Sequence, residues 1–278
     1  MNLSQMTRKA KIEPLTIISL GMGTQSTAMY FMSSKGEIRR ADYAIFADPG
    51  GEHPETDEYL IFLKNWQSAN NGIPIIHLKE KNLLNDLLNE NSTGRPFVFI
   101  PVYTKPKGQL RRQCTSEYKI QPIIKKIREL YGLKKRQWLP KTNVWIGYTI
   151  DEYLRVKDSP NKRIVRQYPL IDKGMKKIDC IRYFKEKGLP VPVKSACTFC
   201  PYQTDSRWAD LQLNYPHAWD MAVKVDESAR NSTKKGIKEP VYLHKSLKPL
   251  REIKFDKTID MFEEIEDDDH CNSGHCFT

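Results

Sequence analysis

"SLGMGTQSTAMY", residues 19–30, follows the apolar run Leu15–Ile18. Two glycines and four hydroxyl residues stand where a strand turns into a helix. A Gly-rich turn feeding a helix N-terminus exposes backbone N–H groups and the positive end of the helix dipole. Glycine lets the backbone approach an anion closely, and Ser19, Thr24, Ser26 and Thr27 add donors. The stretch therefore reads as a phosphate loop; a turn that only permits tight strand–helix packing is the alternative. The spacing is neither G-x-x-x-x-G-K-[ST] nor G-x-G-x-x-G, so no phosphate-loop lysine is expected.

Outward from this loop, the chain alternates strand and helix patterns. "ADYAIFAD" (41–48), "IPIIHL" (73–78) and "NVWIGYT" (143–149) read as further strands. "TQSTAMYFMSS" and "PETDEYLIFLKNW" (54–66) read as helices. The second of these has Pro54 in its first turn and Tyr59, Phe62, Leu63 and Trp66 at helical spacing. Within "RRQCTSEYKIQPIIKKIRELYG" (111–132), Ile123, Ile124, Ile127, Leu130 and Tyr131 mark an amphipathic helix. Alternation of this kind implies an α/β fold, a parallel sheet with helices on both faces, and ligands bound at the carboxyl ends of the strands. After Thr149 the pattern is less regular, through "KSACTFCPYQTDSRW" (194–208) and a helical "HAWDMAVKVDESA" to an acidic tail. The expected divisions are an N-terminal extension 1–13, a nucleotide-binding domain 14–190, a C-x-x-C and helical region 191–262, and a Cys-containing tail 263–278.

The 278 residues fit one large domain or a domain with a small appendage. No apolar run reaches the roughly 20 residues that span a bilayer. The polar start "MNLSQMTRKAKIEP" has no apolar signal core. The expectation is a soluble, cytoplasmic protein. Net charge is +11, and residues from Glu263 onward hold six acidic and no basic residues, which leaves +17 on the rest. A body that basic suits nucleotides, RNA or DNA; a solvated basic surface is the plain alternative.

Three further constellations carry candidate chemistry. In "FADPGGEHPET" (46–56), Asp48 ends a strand beside Gly50 and Gly51, where a carboxylate can meet a ribose hydroxyl or a metal ion such as Mg2+, or cap the turn. Cys197-x-x-Cys200, with the distant Cys114, offers thiols for zinc, redox chemistry or an iron–sulfur cluster. Cys180 lies in a helical pattern and reads as core. The tail "HCNSGHCFT" places Cys271, Cys276, His270 and His275 at one end of the chain.

Taken in order, "SLGMGTQSTAMY", "FADPGGEHPETDEYL", "QCTSEYKIQPI" and "CTFCP" resemble the adenine nucleotide alpha hydrolase superfamily, and within it the phosphoadenosine phosphosulfate (PAPS) reductase-like branch, over about residues 15–215. The resemblance implies a Rossmann-like sheet and a PP-loop that binds ATP or PAPS. Its loop positions are Ser19, Gly21, Gly23, Gln25 and Ser26, with Asp48 and Gly50 bordering the nucleotide. It also implies that Cys114, Cys197 and Cys200 hold a [4Fe–4S] cluster, with one iron left open or closed by Cys271 or Cys276; zinc, completed by His270 or His275, is the rival metal. Arg111, Arg112 and Lys119, with Asp151 and Arg155, are expected at substrate phosphate or sulfate.

The chain departs from the pattern at Gln25, where ATP-using members carry Asp. Gln113-Cys114 stands where cluster-bearing reductases have a Cys pair, and the tail ends "GHCFT" where reductases have Glu-Cys-Gly. Three functions follow as expectations. One is an ATP pyrophosphatase-type enzyme that activates an acceptor, DNA or tRNA, for sulfur transfer. The second is a sulfonucleotide reductase using Cys271 or Cys276 with a thioredoxin-like reductant. The third is a nucleotide-sensing subunit with a structural zinc site.

Overall fold

The computed structural model describes residues 13–89, 100–105, 108–230 and 239–255. Strand β1 (Thr16–Ser19) runs into helix α1 (Thr24–Ser34), β2 (Tyr43–Ala47) into α2 (Pro54–Ala69), and β3 (Ile75–Leu78) into the short α3 (Leu83–Leu88). A two-residue hairpin follows, β4 (Tyr103–Thr104) with β5 (Gly108–Gln109). Next come α4 (Gln121–Leu130), entered through a π-helical turn at Thr115–Ile120, and β6 (Thr142–Trp145). The chain continues through β7 (Ile164–Gln167), α5 (Pro169–Asp172), α6 (Lys177–Glu186), α7 (Asp205–Asn214) and α8 (Pro216–Arg230).

Five strands form one parallel sheet in the order β3-β2-β1-β6-β7. Side chains alternate across it, as the period of a strand requires. Ile18, Ala44, Phe46 and Trp145 face a core shared with α1, α2 and α6. Ile17, Ile45, Val144 and Ile146 face a second core built with Ile123 and Ile127 of α4. Buried strands with helices on both faces make this an α/β, Rossmann-like sheet, as the alternating pattern predicts. Among the described residues no helix is long and apolar enough to cross a membrane.

After Thr149, where the sequence pattern is less regular, the structure adds two elements that the pattern does not mark. Residues 164–167 form a fifth strand, and residues 205–214 a helix capped by Thr204, whose hydroxyl accepts the Arg207 N–H. In β7 only Ile164 is buried and Val165 is exposed. Pairing with β6, more than the segment's own pattern, makes it a strand. A third core joins α3, Ile100, Val102 and Tyr118 to Phe199, Trp208, α8, Val241 and Leu250. The C-x-x-C region is thus packed on α3, Ile100, Val102 and Tyr118.

Candidate functional site

Between β1 and β6 the strand order reverses: β2 and β3 lie on one side of β1, β6 and β7 on the other. A crevice at the carboxyl ends of the strands is expected at such a switch point. Loop 19–26 leads from the carboxyl end of β1 into α1 at this point. Leu20 N–H still bonds the Ile45 carbonyl at 2.9 Å, and the chain then turns through Met22 at φ 61° into Gly23, the N-cap of α1. No side chain caps this helix, and its first turn has no acidic residue. Its leading N–H groups and the positive end of its dipole are left for an anion.

The glycines divide the work differently from the sequence reading. Gly21 and Gly23 both avoid the left-handed region, which falls on Met22. A Cβ at Gly21 would meet only Ser26 Oγ at 3.7 Å, and one at Gly23 nothing within 4 Å. Packing among the described residues therefore does not demand glycine at either position. Gly147, just past β6, is the position of close approach: a Cβ there would stand 2.7 Å from the N and Cα of Ser26. Sequence reasoning missed Gly147, whose signal was only a glycine at the carboxyl end of a predicted strand. Buried on either side of this contact, the hydroxyls of Thr27 and Thr149 have no hydrogen-bond partner among the described residues.

Gln25 Nε2 donates to Glu152 Oε2 at 3.2 Å, and Glu152 also pairs with Arg155. The Arg155 guanidinium lies 4.5 Å from the Tyr148 ring centre. The loop is thereby tied to the turn at 150–155. Asp151 is engaged on that turn, its Oδ2 accepting the Lys177 N–H at 2.6 Å. Ser19 ends β1, and Ser26 Oγ donates to the Gly23 carbonyl at 3.2 Å.

Asp48 leaves β2 into a turn where Gly50 and Gly51 take φ 80° and 89°. Its Oδ1 accepts the Gly50 N–H at 2.8 Å, and Oδ2 lies 3.2 Å from both His77 Nε2 and Lys79 Nζ. Burial by itself would raise the Asp48 pKa. The hydrogen bonds from His77, Gly50 N–H and Lys79 outweigh it and bring the value from 3.8 to about 2. Ionised Asp48 therefore stabilises the fold above about pH 4, and this contribution disappears as pH falls toward 2. Asp48→Asn should cost about 2 kcal/mol at neutral pH and flatten the pH dependence of unfolding in that window, as followed by acid denaturation. Asp48 thus caps its turn while also lining a cleft of ≈ 210 Å³ with Gly50, Gly51, Asp57, Lys79 and Lys81.

The same turn is stitched to the C-x-x-C segment. Thr198 N–H donates to the Gly51 carbonyl at 2.8 Å, His53 N–H to that of Ala196 at 3.2 Å, and Glu52 bridges to Cys197. Phe199, fully buried between the two cysteines, fills the space in front of Gly51. Glu52 is buried and holds both Lys119 Nζ and Ser195 Oγ at 3.1 Å. Lys119, expected at substrate, therefore has a carboxylate partner within the protein. Glu52 itself carries no sequence signal, because its partners lie 67 and 143 residues away.

Cys114, Cys197 and Cys200 are in no disulfide, and each is partly exposed. Burial pushes the Cys197 thiol well up; Glu52, Cys200 and Cys114 add to this and Lys119 opposes it. Cys114 and Cys197 pack against the same third core, although 83 residues separate them in the chain. Arg112 beside Cys114 lies 5.6 Å from the ring of Tyr202, just past Cys200, whereas Arg111 is exposed. Among the described residues no three His, Cys, Asp or Glu side chains are grouped to hold a metal ion. Soft thiols of this kind suit zinc or an iron–sulfur cluster. Cys271, Cys276, His270 and His275 lie outside the described residues.

No family model matches this chain, and no curated protein matches it. Among solved structures it is similar to the U34-tRNA thiolase NcsA from Methanococcus maripaludis with its [4Fe-4S] cluster, at 13% identity and a TM-score of 0.40, over 80% of this chain and 72% of that one. A likeness of that degree carries no inference about reaction or ligand.

Proposed function

We propose that this chain is a PP-loop adenine-nucleotide enzyme that binds ATP at residues 19–26 and activates an acceptor at the α-phosphate for sulfur transfer. One observation carries the reading: the uncapped N-terminus of α1 opens at the topological switch point, behind two glycines that packing among the described residues does not require. The α1 N–H groups and the hydroxyls of Ser19 and Ser26 would bind the phosphates. Fixed donors of this kind stabilise charge that develops on a transferring phosphoryl group. Asp48 and Gly50 would border the nucleoside, with Mg2+ accompanying the phosphates. Arg111 and Arg112 would meet acceptor phosphate from the Cys114 side, and Arg155 would hold Gln25 in place through Glu152.

Cys114, Cys197 and Cys200 would hold a [4Fe–4S] cluster. When bound, such a cluster supplies an iron with an open position for a sulfur ligand. Protein purified without oxygen should be brown and contain iron, and Cys197→Ser should lower the iron content by at least half in elemental analysis.

Turnover tests the reaction. Incubation with ATP and sulfide should release AMP and pyrophosphate when acceptor is present. Sulfite release from PAPS would identify a reductase using a tail cysteine. Tight nucleotide binding with neither product would identify a sensing subunit.

A further inference from the structure

Residues 134–177 contain twelve Lys and Arg against four Asp and Glu, a net +8 of the chain's +11. They include β7, one of the two edge strands of the sheet. At the start of this track Trp138 is 81% exposed, and the Arg163 guanidinium lies 5.5 Å from its ring centre. Along the edge, Arg166 Nη1 and Tyr168 OH donate to the Lys157 carbonyl at 3.0 and 2.9 Å. Tyr168 stacks on Tyr148, which lies under Arg155, and Arg155 reaches Gln25 of loop 19–26 through Glu152. Lys157, Lys162 and Arg163 are exposed, and among the described residues no carboxylate pairs with them. A basic, aromatic track thus follows the edge strand and ends at the candidate nucleotide site.

Charged side chains on an edge strand also guard against edge-to-edge aggregation. A tryptophan held out in solvent does the opposite, so that role does not account for Trp138. Phosphates neutralised by Lys and Arg, with bases stacked on aromatic rings, are the means by which single strands are bound. Unpaired, splayed bases are the ordinary state of RNA loops, whereas duplex grooves offer no base face to an indole.

We propose that the β7 edge docks a single-stranded segment of RNA, with phosphates on Lys157, Lys162 and Arg163 and a base on Trp138, so that the strand leads toward loop 19–26. The proposal rests on the preceding functional reading for what happens at the loop, and on the edge itself for binding.

The test is fluorescence anisotropy of the full chain with a fluorescein-labelled 20-nucleotide mixed-sequence RNA, with single-stranded DNA of the same sequence and with the RNA duplex. Single-stranded RNA should bind best. Lys162→Glu with Arg163→Glu should weaken it at least tenfold and lower the slope of log affinity against log salt by more than one, since each phosphate contact on a single strand contributes about 0.7. Trp138→Ala should weaken binding about tenfold with little change in that slope, and Trp138→Phe should restore most of the loss. All three sites are exposed, and unchanged thermal midpoints confirm folding. Variants that bind the RNA like wild type, or tighter binding of the DNA or the duplex, would overturn the proposal. ATP affinity measured on the same proteins separates the two readings: it should be unchanged by these substitutions, and its absence in wild type would refute the nucleotide site and leave the docking edge standing.

Discussion

Gly51→Ala should destabilise the protein by about 3 kcal/mol, and it should do so by breaking the joint between the β2 turn and the C-x-x-C segment. Two costs add. Gly51 has φ 89°, a conformation that costs an L-residue about 1–2 kcal/mol. Its new Cβ would also stand 2.4 Å from Phe199 Cε1, on a ring that is fully buried and cannot swing away without opening the third core. Overpacking of that kind adds about 1–3 kcal/mol. Gly36→Ala is the control. Gly36 has φ 76° with nothing within 4 Å of the added Cβ, so it should show the backbone cost alone, about 1 kcal/mol. Thermal denaturation compares the two, and alkylation of Cys197 should accelerate only in Gly51→Ala. Equal losses in both variants would mean that Phe199 moves freely and the joint is loose.

Gly147→Ala should weaken ATP binding at least tenfold. The added methyl would press on the backbone N and Cα of Ser26, 2.7 Å away, and backbone cannot rotate aside as a side chain can. Either β6 must retreat from β1, which the paired ladder resists, or the first turn of α1 must shift. The second course displaces the N–H groups that would hold the phosphates. Hydrogen bonds to an anion depend steeply on distance and angle, so a shift of a fraction of an ångström is enough. A calorimetric titration reads the effect. Unchanged affinity would show that the Ser26 end of the loop does not face the ligand.

The sheet was legible in the sequence wherever one strand's own pattern sufficed. "LTIIS", "YAIFA" and "VW" are apolar runs followed by turn residues or glycine, and Pro54 marks the start of α2 where the structure has it. β7 was not legible, because three of its four residues are partly or fully exposed and its strand form comes from its neighbour. Loop 19–26 stands out in the sequence by its glycines, yet the tight contact belongs to Gly147 and the left-handed turn to Met22. Both facts depend on how two distant segments meet, which no local spacing encodes. That Cys114, Cys197 and Cys200 share one metal centre is what the resemblance implies. The ion pair Lys119–Glu52 had no signal in the chain.

The central claim is that loop 19–26 holds a nucleotide, and Gly23→Val tests it most directly. Gly23 is extended, at φ −88° and ψ 171°, which valine adopts readily. Among the described residues nothing lies within 4 Å of the new Cβ. The variant should fold with a thermal midpoint close to wild type, losing at most about 1 kcal/mol for the poorer N-cap. Its branched side chain would stand in the space assigned to the phosphates. Calorimetric titration with ATP should give clear binding to wild type and at least a tenfold loss in folded Gly23→Val. Equal ATP affinity in the two proteins would place the nucleotide elsewhere and contradict the account.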